Sequence, residues 1–88
     1  MTILANNVET MVSATAVSFT GNTLHVTLND GRTISVPLEK IEWLAWLAQA
    51  TLEQRQAWEI EPGGYAVYWN SLDDGVEVAH LLAMQPLA

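Results

Sequence analysis

The sequence contains no cysteine, which removes disulfides, thiolate nucleophiles and zinc–sulfur sites from consideration. Basic residues are almost as scarce, with three Lys and Arg against ten Asp and Glu and a net charge of −7. None of the three lies beyond Arg55, whereas five acids do: Glu59, Glu61, Asp73, Asp74 and Glu77. Nucleic-acid binding rests on Lys and Arg neutralising phosphates, so direct contact with nucleic acid is not expected. Long apolar runs are missing too. Glu, Lys or Gln breaks each one well short of the roughly 20 residues a membrane helix needs, so no membrane span is expected. Met1 to Met11 lacks a basic region followed by an apolar run, so no secretory signal is expected. A small cysteine-free domain without these features fits the cytoplasm.

What is present is a folding composition: 88 residues, 50% hydrophobic and 15% charged, enough for one domain with its own core. The acidity admits two readings. One is solubility alone; the other is an acidic face that recognises a basic partner.

Leu4, Val8, Met11 and Val12 fall near helical spacing, but Asn6-Asn7 and the lack of a cap weaken that pattern. Residues 1–13 are read as an N-terminal arm and 14–88 as a single α+β domain. From Ala14 to Val36 the period is two. Thr15, Val17 and Phe19 alternate with Ala14, Ala16 and Ser18; Leu24, Val26 and Leu28 alternate with Thr23, His25 and Thr27. Gly21-Asn22 and Asn29-Asp30-Gly31 supply turns, because Gly accepts positive φ and Asn or Asp tolerates it. With Ile34 and Val36, the pattern predicts a three-stranded antiparallel meander with one wet face.

Pro37 ends the third strand, and a helix is predicted from Leu38 to about Gln49. At 100° per residue, Leu38, Ile41, Leu44, Ala45, Leu47 and Ala48 share one broad arc, while Trp46 projects between Glu39 and Glu42 on the polar side. Thr51 and Gln54 have capping-box spacing and open a short helix to Ala57. Trp58–Glu61, the Pro62-Gly63-Gly64 turn and Tyr65–Trp69 read as a C-terminal hairpin. Asp74 is expected to cap a last helix from Val76 to Met84. The predicted fold is therefore a meander plus a C-terminal hairpin, packed with two or three short helices.

The chemistry-bearing residues point away from catalysis. His25 and His80 have neither cysteine partners nor i, i+4 spacing, so surface or packing roles outweigh metal binding. Asp73-Asp74 beside Glu77 lacks the alternating oxygen ligands of a calcium loop and reads as a helix cap. Pro62-Gly63-Gly64 follows a strand but opens another strand, so it is no phosphate cradle. No serine sits in a nucleophile elbow. No enzyme activity and no cofactor are expected. Four Trp is a dense complement, and Trp is favoured at binding hot spots. Core packing is the simpler account of Trp43, Trp58 and Trp69. Trp46, with Glu39 and Glu42 beside it and Asp73 and Asp74 farther along, makes the candidate interface.

The order of motifs resembles the bacterial domain-of-unknown-function family twenty-four-forty-two over roughly Ala14 to Ala83. The residues carrying it are Leu24, Val26 and Leu28, the run from Asp30-Gly31-Arg32 to Pro37-Leu38, and Ala50-Thr51-Leu52-Glu53-Gln54-Arg55. They continue through Trp58-Glu59-Ile60, Gly63-Gly64, Tyr68-Trp69 and Leu72-Asp73-Asp74 to Leu81-Leu82. Members usually have Pro where Leu52 stands, His-Trp-Pro where Tyr68-Trp69-Asn70 stands, and a third acid at Gly75. The resemblance implies an α+β fold and no established activity. It also implies an arrangement like a toxin–antitoxin pair, with a small partner encoded alongside. The leading expectation is thus a non-enzymatic interaction module, antitoxin-like, that sequesters a small basic protein. The alternatives are a ligand-binding or substrate-processing domain, with Tyr65, Tyr68 and Trp69 lining a cleft closed by Asp73 and Asp74, or a subunit of a larger homo- or hetero-oligomer.

Overall fold

The computed structural model describes residues 12–84. Two antiparallel three-stranded sheets follow one another along the chain. The first is β1 (Ala14–Thr20), β2 (Thr23–Leu28) and β3 (Thr33–Pro37), in that order across the sheet. The second is β4 (Trp58–Ile60), β5 (Ala66–Trp69) and β6 (Asp74–Glu77), also in chain order. Among the described residues, three short α-helices complete the α+β fold: α1 (Ala45–Ala48), α2 (Leu52–Gln56) and α3 (Val78–Ala83). The core draws on the inner faces of both sheets and on the helical segments between and after them, with Leu24, Val26, Leu44, Leu47, Val67, Trp69 and Leu81 buried together.

The meander forms where period-two alternation and turn residues coincide. Leu24, Val26 and Leu28 are buried, as are Ile34 and Val36 opposite them. A one-residue slip would put all five in water, which fixes the register. The first strand departs from simple alternation. The pairing shifts register between Ala14 and Ala16, so Ala14 and Val17 are buried while Thr15 faces out. That bulge reorients the predicted Thr15 face. The chain before it belongs to the packed unit as far as described, since Val12 joins the core. The rest of the arm, residues 1–11, lies outside the described residues.

Residues 38–49 do not form one helix. Two 3-10 turns, Leu38–Lys40 and Glu42–Leu44, flank Ile41, which is extended at φ −115° and ψ 107°, and only then does α1 begin. Of the predicted apolar positions, Leu38, Leu44 and Leu47 are nonetheless buried, Ile41 and Ala48 are half-buried, and Ala45 is exposed. The capping box holds: Thr51 Oγ1 accepts from Gln54 N–H, and Thr51 N–H donates to Gln54 Oε1. The largest difference is at the C-terminal end. Asp74 begins a third strand instead of capping a helix, so the hairpin is a three-stranded sheet and α3 starts later, at Val78. Asp73 takes a left-handed backbone, φ 52°, and swings the chain back after the 3-10 turn Asn70–Leu72.

Two features join the sheets. The loop between β4 and β5 is held from both sides, because Ala14 N–H donates to the Gly64 carbonyl at 2.7 Å and Val78 N–H to the Tyr65 carbonyl at 2.8 Å. Gly64 is required there: its φ is +77°, and a Cβ would lie 2.7 Å from that of Ser13. Arg55 is the second feature. It is only 5% exposed, and no carboxylate pairs with it among the described residues. Its guanidinium instead donates to the Leu47 and Ala48 carbonyls at the end of α1, and to the Gly21 carbonyl and Asn22 Oδ1 in the β1–β2 turn. A buried cation is tolerable when its donors are satisfied, and a helix C-terminus is where positive charge is favoured. The Arg55 carbonyl also accepts from Trp69 Nε1 at 3.0 Å, linking α2 to β5.

Candidate functional site

The register of the second sheet sorts its residues between two faces. Trp58 pairs with Trp69, Ile60 with Val67, and Val67 with Val76; these lie on the inner face against the core. Glu59 pairs with Tyr68 and Tyr68 with Gly75, while Ala66 pairs with Glu77, and these lie on the outer face. Among the described residues, Glu59 and Glu77 are exposed on that face and Ala66, Tyr68 and Gly75 are half-buried. Because side chains alternate along a strand, packing Val67 and Trp69 inward directs Tyr68 outward.

Tyr68 is held at the middle of this surface. Its hydroxyl donates to Asp73 Oδ1 at 2.6 Å, and its ring leans across Gly75, where a Cβ would sit 2.9 Å from Tyr68 Cδ1 and 2.7 Å from the Val67 carbonyl oxygen. Glycine at 75 leaves the ring its place. The hydrogen bond to the Asp73 carboxylate, reinforced by partial desolvation and by the negative charges of Asp74 and Glu61, pushes the Tyr68 phenol above its ordinary range. Tyr68 thus has acids of the strand beside it, of the loop before it and of the turn after it as neighbours. Among the described residues, no Lys or Arg pairs with any of them.

The five residues proposed from sequence do not form one patch by contact. Asp73 belongs to the Tyr68 surface through its hydrogen bond, whereas Asp74 pairs with Trp69 across β5 and β6, in register with the inner-face row, and its Oδ1 accepts from Gly75 N–H at 2.8 Å. Glu39 and Glu42 are exposed in the first turns of their 3-10 segments, and no hydrogen bond or ion pair joins them to the other three. Trp46 is half-buried, not fully exposed. Its indole meets Trp69 edge to face with centroids 5.7 Å apart, and its Nε1 donates to the Trp43 carbonyl at 2.9 Å. Phe19 meets Trp69 in the same manner at 6.5 Å, so Trp46 lies at the rim of an aromatic cluster centred on fully buried Trp69. Glu59, Tyr68 and Glu77 were missed as surface residues, although the alternation of Tyr68 with Val67 and Trp69 already carried the signal.

The alternative cleft of Tyr65, Tyr68 and Trp69 is not assembled, because Trp69 is fully buried on the inner face while Tyr68 points outward. His25 bridges Ser35 Oγ at 2.7 Å and Thr20 Oγ1 at 3.0 Å on the open face of the first sheet. His80 stacks on Trp43, with centroids 4.4 Å apart and planes within 7°. No group of three or more His, Asp or Glu among the described residues is placed to hold a metal ion. No helix among them is long and apolar enough to cross a membrane.

Known proteins place this fold. A family model described as "Protein of unknown function (DUF2442)" matches residues 14–85. A crystal structure of a protein of unknown function from Rhodospirillum rubrum superimposes with a TM-score of 0.68 at 26% identity, over 82% of this chain and 86% of that one. The solution structure of an uncharacterized protein from Chromobacterium violaceum gives 0.67 at 23% identity, over 81% of this chain and 64% of the other, which shows the shared fold alone. No curated protein matches. The family match spans most of the chain, which therefore belongs to DUF2442.

Proposed function

We propose that this member of DUF2442 is a non-enzymatic interaction module that recognises a basic protein, antitoxin-like, in the cytoplasm. The observation that carries the reading is the open outer face of the second sheet. Glu59, Tyr68 and Glu77 share one face of the sheet, with both Glu exposed and Tyr68 half-exposed, Asp73 is tied to it through Tyr68, and no Lys or Arg among the described residues pairs with its acids. Like charges gathered on a rigid sheet repel one another, and a basic partner relieves that repulsion while steering itself to the surface. Solubility alone requires charge but not its concentration on one face.

The test is binding of a short peptide rich in Arg and Lys, measured at low and at physiological ionic strength, with an acidic peptide as control. The basic peptide should bind and weaken as salt rises. The double reversal Glu59→Lys/Glu77→Lys should abolish binding, whereas Ser18→Lys/Thr27→Lys on the first sheet should leave it. For the antitoxin-like form, growth arrest caused by a small basic product of a neighbouring reading frame should be relieved by this chain and not by the double reversal. Salt-insensitive binding, or no difference between the two variants, would reject the reading.

A further inference from the structure

Acids alone make a solvated surface; the aromatic ring among them makes this one selective. We infer that Tyr68 is the anchor of the outer face and that it takes an arginine side chain of the partner, guanidinium laid on the ring. The inference rests on the basic-partner reading above and names the group that such a partner must present.

Three observations support it. The ring is fixed at both ends, by β5 and by the hydroxyl bond to Asp73 at 2.6 Å, so docking on it costs little ordering. It leans on the bare backbone at Gly75, which offers no side chain to cover it, and Tyr68 remains half-exposed. Its surroundings are anionic, with Glu59 as cross-strand partner, Asp73 in the turn that follows and Asp74 at the start of β6. A negative perimeter around a π face suits a cation, and guanidinium suits it better than ammonium: it is planar, stacks, and reaches carboxylates bidentately while it does so. Phe19 already shows this geometry within the molecule, with the Arg55 guanidinium carbon 5.7 Å from its ring centroid.

The test compares peptides of equal length and charge, one built on arginine and one on lysine, by isothermal titration and by proton NMR. The arginine peptide should bind more tightly. Tyr68→Leu should weaken it roughly 2- to 5-fold while Tyr68→Trp holds or improves it, the scale expected of an exposed cation–π contact. The arginine side-chain protons should shift upfield on binding to the native chain and not to Tyr68→Leu, which is to be checked as folded by circular dichroism. If both peptides bind equally, or if Tyr68→Leu binds as the native chain does, the arginine assignment is overturned while the acidic-face reading stands. If neither peptide binds, the acidic-face reading fails, and this inference with it.

Discussion

The two sheets are built alike, three antiparallel strands with one face in the core, yet their open faces are opposite in kind. On the first, Ser18, His25 and Ser35 form a row across the strands beside a second row of Ala16, Thr27 and Thr33. It carries hydroxyls and an imidazole, and much of that polarity is spent within the sheet: His25 bridges Ser35 and Thr20, and Thr15 Oγ1 donates to the Thr27 carbonyl. On the second, the corresponding positions carry Glu59, Tyr68 and Glu77, and the carboxylates have no cation among the described residues. One face largely satisfies itself; the other keeps carboxylates that the proposed partner would answer. The net charge of −7 is therefore not spread evenly, and its placement says more about function than its size.

The sharpest way to break the comparison is to substitute neighbours on β5 that face opposite ways. Trp69→Ala should cost about 3–5 kcal/mol, the usual loss for a buried aromatic, whereas Tyr68→Ala should cost less than about 1 kcal/mol. Denaturant midpoints at constant slope measure both. Comparable losses would mean that the outer face is not a free surface.

Arg55 joins the sheets, so its loss should affect both. Arg55→Met removes the guanidinium donor from the Ala48 and Gly21 carbonyls, while the Leu47 carbonyl keeps Ala50 N–H, and should cost about 2–3 kcal/mol. Arg55→Lys should recover little of it, since one ammonium cannot span acceptors arranged for a planar fork. Chemical-shift changes on both sheets would show the shared joint; changes on one alone would remove Arg55 from that role.

Trp46→Ala should fall below both, at about 2 kcal/mol, because a half-buried indole that keeps one edge-to-face contact and one hydrogen bond loses only part of a core aromatic's contribution. A loss within a few tenths of zero would return Trp46 to the surface and restore it as a partner anchor.

The smallest effect is in the pH dependence. Tyr68 has its folded pKa raised, so the neutral phenol is favoured in the folded state. Its stabilising contribution is fully present below the unfolded tyrosine value of about 10 and is lost as pH rises through the higher folded value. Tyr68→Phe should flatten the alkaline fall in stability, and Asp73→Asn should bring the phenolate absorbance change to lower pH. An unchanged titration in Asp73→Asn would mean that the hydrogen bond does not hold in solution.

How much of this was legible in the sequence follows the same division. The first sheet was readable because alternation and two glycine turns agree over Ala14–Val36; only the bulge at Ala14–Ala16 is silent, as one extra residue changes no composition. The helical projection of residues 38–49 found the buried Leu38, Leu44 and Leu47 but misplaced Trp46. A break at Ile41 and two tighter 3-10 turns invalidate angles counted at one helical period. In the second sheet, Asp73-Asp74 has the look of a cap, and a left-handed Asp73 converts it into a turn that starts β6. Pairing then sets Tyr68 opposite Gly75 across β5 and β6, the small residue leaving room for the large ring. Arg55 escaped notice because a charged residue in a short polar helix ordinarily faces water, and its acceptors come from segments distant in sequence.

The second sheet's outer face is the surface proposed to meet a basic partner. Mapping the bound arginine peptide by amide chemical shifts tests it directly. The account predicts that the largest changes cluster at Glu59, Ala66, Tyr68, Gly75 and Glu77 and shrink together as salt is raised, while Ser18, His25, Thr27 and Ser35 stay in place. Shifts centred on the first sheet or on Trp46, or shifts indifferent to salt, would contradict it.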